Sequence, residues 1–407
     1  MTMQTFSPIE YMKIDLASNF GLDRENWDTR LEWFEEQKDN LDDLISSADE
    51  PAMFYASLQA YRDVCAGKPI GYAIGLDATA SGAQILTALI NCEKSARLCN
   101  VIDTGRREDL YTNIHRFMNE RQDHASMITR SEAKDAIMPA LYCSTARPKE
   151  IFGEGKQLTV FHDVMDEEAP GVWQLTEALK NLWQSGNLSH DWVMPDNFHV
   201  HVKVMDNHSE NVQFMNTPYT VTTKINRGTD SGLSLGANIT HSTDGLGVRE
   251  VIGRCYYDAQ RRYQVTDLCF SARTHTDEKD IPSSPNKIMV QTLMGHYRRT
   301  GFMSIRLMDY IDVDTINCLS LDETQALWDL LNSLPEKPFK VISVHDRFNV
   351  HPNYGDDLRR QYNRFLHDIA RSTLLADIAS QITGTEIIVP KFGDIADQIL
   401  ESNYALS

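Results

Sequence analysis

Hydrophobic positions recur at helical spacing through residues 8–66. Acidic and aromatic residues interleave there in Trp27-Asp28-Thr29-Arg30-Leu31-Glu32-Trp33-Phe34, and Leu41, Leu44 and Ile45 continue the period. Gly67 to Gly75 interrupts it, and Tyr72-Ala73-Ile74-Gly75-Leu76 is a short apolar run suited to a buried strand. Helical periodicity returns over 83–101 and 107–142. From Asp191 to Phe214 the pattern turns strand-like, with Val200, Val202 and Val204 alternating with His201 and Lys203. A Gly-, Ser- and Asn-rich stretch from Gly228 to Asn238 predicts a loop leading into a helix from about Asp244. Phe339 to Val344 predicts a second β-branched strand ending in His345-Asp346, and 356–381 is again helical. No internal repeat or flexible linker divides the chain, so its domains are expected to interleave.

Composition narrows the class. With 407 residues, 42% hydrophobic and 24% charged, the chain can bury a large core, which excludes a disordered tail, a fibre or a disulfide-stapled mini-protein. The formal charge of −19 excludes a general duplex-coating protein. Any nucleic-acid site must be a basic island or be completed by another subunit. The seven cysteines are scattered without a CxxC pair, which points to a reducing compartment. The start lacks a basic region followed by an apolar one, and no apolar run is long enough to cross a bilayer, so a soluble, cytoplasmic protein with no membrane partner is expected.

The sharpest chemistry is the pair Asp77 and Asp346, each directly after an apolar strand. Neighbouring strands would bring both carboxylates to one sheet edge, where they could hold two Mg²⁺ ions for in-line phosphoryl transfer. An Asp after a strand more often only starts a turn, but what surrounds these two raises the reading. Ala78-Thr79-Ala80-Ser81-Gly82 lets backbone approach a ligand, and the Ala78 carbonyl can join Asp77 and Asp346 as a metal ligand. Arg130 and Lys134, at i and i+4, share a helix face that can grip a triphosphate, and Tyr142 lies further along near the helix end, where a phenol could test a sugar.

In this order the elements resemble the single-subunit RNA polymerase family of bacteriophages and mitochondria. Asp77, Ser81, Gly82 and Gln84 match its D-x-x-x-S-G-x-Q motif. Arg130, Lys134, Met138, Tyr142 and Ser144 match R-x-x-x-K-x-x-x-M-x-x-x-Y-x-S, and His345, Asp346 and Phe348 match H-D-x-F. Asn238-Ile-Thr-His241-Ser-Thr-Asp244-Gly245 resembles a further family block, Asp109-Leu-Tyr111 a tyrosine-bearing helix, and Leu400 to Ala405 the C-terminal foot. Ala78, Pro139 and Cys143 depart from the family pattern, and Pro139 is expected to kink its helix one turn before Tyr142.

The resemblance implies an α+β right-hand polymerase fold of palm and fingers only, lacking the amino-terminal domain and most of the thumb. Residues 1–115 would be amino-terminal helices and first palm segment, 116–241 the fingers, and 242–407 the second palm segment and foot, with two antiparallel strands ending at Asp77 and Asp346 at the centre. It implies a DNA-directed RNA polymerase using rNTPs and two Mg²⁺ ions. Asp77, Lys134, Tyr142 and Asp346 would be catalytic, and Arg130, Tyr111, His241, His345 and Gly82 would bind substrate. Gly82 stands where a related DNA polymerase has Glu, leaving room for a ribose; Tyr142 and His241 would check its 2′-OH, and His345 would steady the loop near the primer end. As in the two-subunit RNA polymerases of some podoviruses, a smaller chain is expected to supply the upstream domain and thumb, docking along residues 1–66 with Trp27, Trp33 and Phe34 as interface candidates. The template would be single-stranded or pre-opened DNA. The alternatives are a dNTP-using polymerase and a non-catalytic nucleic-acid-binding subunit. Arg147, Lys149, Arg359, Arg360 and Arg364 are candidate phosphate contacts. Tyr354-Gly355-Asp356-Asp357 spells an RNA-dependent polymerase signature, but it precedes a helical run and is read as a helix start.

Overall fold

The structure, a computed structural model, describes residues 2–122, 127–272 and 283–407. It mixes many helices with seven short strands among the described residues. β1 (Ile74–Asp77) lies in the first half of the chain. β2 (Ser189–Val193) and β3 (His199–Lys203) form one hairpin, and β4 (Met205–Phe214) and β5 (Thr217–Asn226) form another. β6 (Val341–Val344) and β7 (Arg347–Val350) return to β1 as an antiparallel sheet in the order β1-β7-β6.

This order corrects the expectation that the strands ending at Asp77 and Asp346 pair with each other. β1 and β6 both pair with β7, so they run in the same direction on either side of it. The reason is local: His345 takes a left-handed φ of 56°, and the chain reverses across His345-Asp346 directly into β7. β6 is the sheet's edge and leaves Ile342 and Val344 exposed, although their β-branched pattern suggested burial. Two other boundaries move. The helix expected from about Asp244 begins at Ser234 and runs to Cys255, which carries His241 into its first half. β5 was not expected at all. It pairs with β4 over ten residue pairs, and both turn residues, Met215 and Asn216, have positive φ as a two-residue hairpin requires.

Capping explains several helix starts. Ser7 and Glu10 form a reciprocal box before Pro8–Ala17, and Thr129 and Glu132 do the same before Arg130–Leu141. Asp356 and Asp357 occupy the first turn of Gly355–Arg371, as the helix-start reading of that tetrapeptide expected. The helix Ser81–Ile90 is buried at every residue and packs against Gly355–Arg371 and Ser234–Cys255. The chain's two ends are woven into this core. Trp27 is fully buried, stacks on Tyr404 at 5.5 Å and donates its indole N–H to the Asn403 carbonyl. Phe34 is buried as well, so these two aromatics are core, not interface; Trp33 is half-buried and stacks on Phe20. Arg359 is also buried, donating to the carbonyls of Gln4 and Asn403, which removes it from the candidate phosphate contacts. The other four are salt-bridged: Arg147 to Glu150, Lys149 to Glu154, Arg360 to Asp357 and Arg364 to Asp368.

Cys143 sits just past the Arg130–Leu141 helix with φ 66°, a conformation that costs a non-glycine residue about 1 kcal/mol. Its thiol is buried against the Ser234–Cys255 helix, where a Cβ on Gly236 would lie 2.2 Å from Sγ. Gly236→Ala is therefore expected to destabilise by about 2 kcal/mol through overpacking. Cys143→Gly should change stability by less than about 1 kcal/mol, because relief of the backbone offsets the lost burial. In urea unfolding, the double variant should recover most of the Gly236→Ala loss; strict additivity of the two changes would refute the contact.

Candidate active site

The sheet edge formed by the end of β1 and the β6–β7 turn brings Asp77 and Asp346 together. Asp77 pairs with Arg347 in the ladder, and the next amide, Ala78 N–H, donates to the Asp346 carbonyl at 3.2 Å. Beyond Asp77 the ladder continues onto the chain's last residues. Asp77 and Ser407 exchange two backbone hydrogen bonds, and Ala78 bridges to Leu406. Gln84 locks this arrangement from below. Its side-chain N–H group donates to Thr79 Oγ1 and to the carbonyls of Cys99 and Ala405, and its carbonyl accepts from the Tyr362 hydroxyl at 2.8 Å. β1 is steadied on its other side by the fully buried Asp15, which accepts from Gly75 N–H and the Tyr72 hydroxyl.

Facing the carboxylates across a cavity of about 500 Å³ is the helix Arg130–Leu141. Asp77, Ala78, Gly82, Tyr111, Arg130, Lys134, Tyr142 and Asp346 all line this one cavity, so most of the expected site converges. Arg130 and Lys134 share a face, as their spacing required, and both cations lie within 6 Å of the Tyr111 ring centre. Arg130 is also salt-bridged to Asp109 and donates to Thr112. Tyr142 caps the helix end. Its ring stacks on His241 at 4.6 Å and 14°, and a Cβ on Gly82 would lie 2.8 Å from its hydroxyl. The room left by Gly82 is thus filled by the Tyr142 phenol. The expected kink at Pro139 does not break the helix, which runs to Leu141; the Pro139 carbonyl accepts the amides of both Tyr142 and Ser144. His345 is exposed at the turn and does not line the cavity.

Electrostatically, Asp346 is the focus. Partial burial and the Asp346 carboxylate push Asp77 up to about 6, although the Asp77 side chain still opens on solvent; Arg347 and Arg107 pull the other way. Asp244 is also pushed up to about 6, by burial and then by Asp346. Burial raises the phenols of Tyr111 and Tyr142 to about 12 each, with nearby carboxylates adding to the effect. Carboxylates gathered at one edge and only partly offset by Arg347 and Arg107 are hard oxygen donors of the kind that Mg²⁺ takes, one or two at a time, with waters and substrate phosphates completing its shell. No cluster of three or more His, Cys, Asp or Glu suited to a metal occurs among the described residues.

Three residues of the site were missed in the sequence. Asp244 stood inside the block quoted with His241, and Arg347 is the variable position of H-D-x-F; both were in view but assigned nothing. Arg107 carried no signal. It lines the cavity and donates to Ser407 Oγ.

Paired carboxylates facing a cationic helix face across a cleft are an arrangement suited to phosphoryl or nucleotidyl transfer. Residues 5–150 match the family described as DNA-dependent RNA polymerase. The DNA-directed RNA polymerase of Pseudomonas phage phiKMV is 28% identical over 127 residues, an alignment covering 27% of this chain and only 16% of the phage protein. Over the matched residues the chain is similar to DNA-dependent RNA polymerases of the phage type, and the alignment spans less than a fifth of the phage protein's length. The family match includes Asp77, Gly82, Tyr111, Arg130, Lys134 and Tyr142; His241, His345 and Asp346 lie beyond it.

Gln84→Leu should leave the Tyr362 hydroxyl and the Cys99 and Ala405 carbonyls without their partner, costing about 2–4 kcal/mol. Hydrogen exchange is expected to quicken first at residues 405–407 and 77–79; uniform quickening across the chain would contradict a local lock.

Proposed function

We propose that this chain is the catalytic subunit of a phage-type DNA-dependent RNA polymerase, with a right-hand palm-and-fingers arrangement in which 1–115 and 242–407 supply the palm and 116–241 the fingers. It would extend RNA on a DNA template by nucleotidyl transfer from rNTPs. The observation that carries this reading is the convergence of Asp77 and Asp346, distant in sequence, at one sheet edge opposite Arg130 and Lys134.

Asp77 and Asp346, with the Ala78 carbonyl, would hold the Mg²⁺ ions, which supply activation of the RNA 3′-OH and charge neutralisation on the triphosphate. The protein's own groups do the rest. Lys134 takes phosphate charge directly, and Arg130, braced by Asp109, adds a planar donor for the departing pyrophosphate. Tyr111 sets the spacing of those two cations. The stacked pair Tyr142 and His241 presents a hydroxyl over Gly82, a position from which it can meet a ribose 2′-OH. His345 steadies the turn that carries Asp346. The dNTP-using alternative is disfavoured by Gly82, where an acidic side chain would exclude the 2′-OH. A non-catalytic binding subunit has no use for two opposed carboxylates.

A charge of −19 gives the body little affinity for duplex phosphates, which supports a partner chain and a single-stranded or pre-opened template. The smaller subunit of this reading supplies the upstream domain and thumb. No helix among the described residues is long and apolar enough to cross a membrane, and the reading places the enzyme in the host cytoplasm.

The test is Mg²⁺-dependent ribonucleotide incorporation on a primed, pre-opened template with the partner chain present. Asp77→Asn and Asp346→Asn should each lower incorporation by at least about a thousandfold while leaving the fold intact by circular dichroism. Normal activity in either variant would overturn the assignment. Tyr142→Phe is expected to keep incorporation while narrowing the preference for rNTPs over dNTPs, read as the ratio of kcat/KM values.

A further inference from the structure

A second cleft, of about 650 Å³, adjoins the candidate active site. It shares Arg24, Arg107 and Arg130 with the catalytic cavity, so the two are continuous, and Arg106 and Arg116 lie on its far side. Five guanidinium groups meet three carboxylates, Glu25, Glu108 and Asp109, on a chain whose overall charge is −19. It is a local concentration of cations on an acidic body.

Carboxylates neutralise it only in part. Asp109 accepts from Arg130 and from the Thr112 amide. Glu108 accepts from Arg106, Thr104 and Asn113. Arg107 is left with one side-chain hydrogen bond, from Nε to Ser407 Oγ, and among the described residues no acceptor meets its two terminal nitrogens. Behind it the buried Arg30 is held by the Glu25 and Asp23 carbonyls and Ser18 Oγ, without a carboxylate. Burial and then Arg107 disfavour the charge on Arg30, and burial with a smaller push from Arg24 disfavours that on Arg107. Crowded guanidinium groups with free donors, opening on a cavity, call for a multivalent anion.

We propose that this arginine-lined cleft is a polyphosphate-binding station contiguous with the nucleotide site, taking the tail of an incoming nucleoside triphosphate or the pyrophosphate released by transfer. That role rests on the polymerase reading above, whereas anion binding itself does not. A planar donor fork at each of Arg106, Arg107 and Arg116 suits successive phosphate groups in a chain better than a single phosphate. Continuity through Arg107 and Arg130 lets one polyphosphate pass between the two cavities without losing cationic contact.

The experiment titrates inorganic pyrophosphate into the full chain in EDTA by calorimetry. The Arg106→Ala/Arg116→Ala variant removes two arginines whose only carboxylate pairings are to Glu108 and Glu120, and surface pairs of this kind add little stability. The control, Arg62→Ala/Arg97→Ala, removes two exposed arginines elsewhere and leaves the same net charge. Pyrophosphate affinity should fall at least about tenfold in the first variant and stay unchanged in the control. Equal affinity in all three proteins, or equal loss in both variants, overturns the proposal. Two kinetic arms separate the sources. A raised KM for rNTPs identifies the incoming tail, and a raised inhibition constant for pyrophosphate at unchanged KM identifies the leaving group. Should incorporation fail altogether while arginine-dependent pyrophosphate binding persists, the polymerase reading falls and the anion site remains.

Discussion

Strand β7 is paired on both sides, and the register of those two pairings is the constraint on which the rest of the site depends. Arg347 lies opposite Asp77 on one flank and Val344 on the other. A slip of one residue would turn Asp77 to the opposite face of the sheet relative to the β6–β7 turn that carries Asp346. A strand of four residues cannot hold its register alone, and here long-range contacts hold it. The Asp77–Ser407 hydrogen bonds extend the ladder, Gln84 ties that extension to the helix beneath, and Asp15 fixes β1 through Gly75. The first and last thirds of the chain therefore meet at the candidate site, which fits a sequence that no linker divides.

Holding two carboxylates at one edge works against folding, and the surroundings distribute that cost. Burial first, with a smaller contribution from Asp346, shifts Asp77, Asp244, Tyr111 and Tyr142 toward the protonated form. Arg347 offsets part of this at Asp77, and its guanidinium lies so close over β1 that a Cβ on Gly75 would fall 2.2 Å from it. On an acidic body, cations are concentrated along one helix face and the cleft beside it. Net charge and local charge have opposite signs, and only the local one governs what the cleft attracts.

Much of the site was legible in the sequence because its residues repeat at spacings with a physical meaning. Arg130 and Lys134 four residues apart must share a helix face, and an Asp closing an apolar run must emerge at a sheet edge. What the sequence concealed was held by contacts between distant segments. The β1-β7-β6 order depends on a reversal at His345-Asp346 that lacks the usual Asn-Gly turn chemistry. β5 escaped because its Thr-rich pattern is exposed on both faces and shows no apolar alternation. The early start of the Ser234–Cys255 helix escaped because Ser234, Gly236 and Asn238 are loop-formers that only tertiary packing makes helical. Trp27 could have been surface or core by its spacing; the stack on Tyr404, far away in sequence, made it core.

The same logic bears on the departures near Tyr142. Pro139 and Cys143 look disruptive taken singly, since one removes a helix donor and the other occupies a left-handed conformation. Together they make a terminus. Pro139 lies in the helix's last turn, where its carbonyl serves as the acceptor for Tyr142 and Ser144, and the left-handed Cys143 turns the chain away while sinking its thiol beside Gly236. The Tyr142 ring is then bounded by His241 on one face and by the Gly82 backbone at its hydroxyl. Its pose is set by groups from three separate segments rather than by the helix alone. A hydroxyl fixed in that way meets any ligand of the cavity already ordered, so less binding energy is lost to immobilisation.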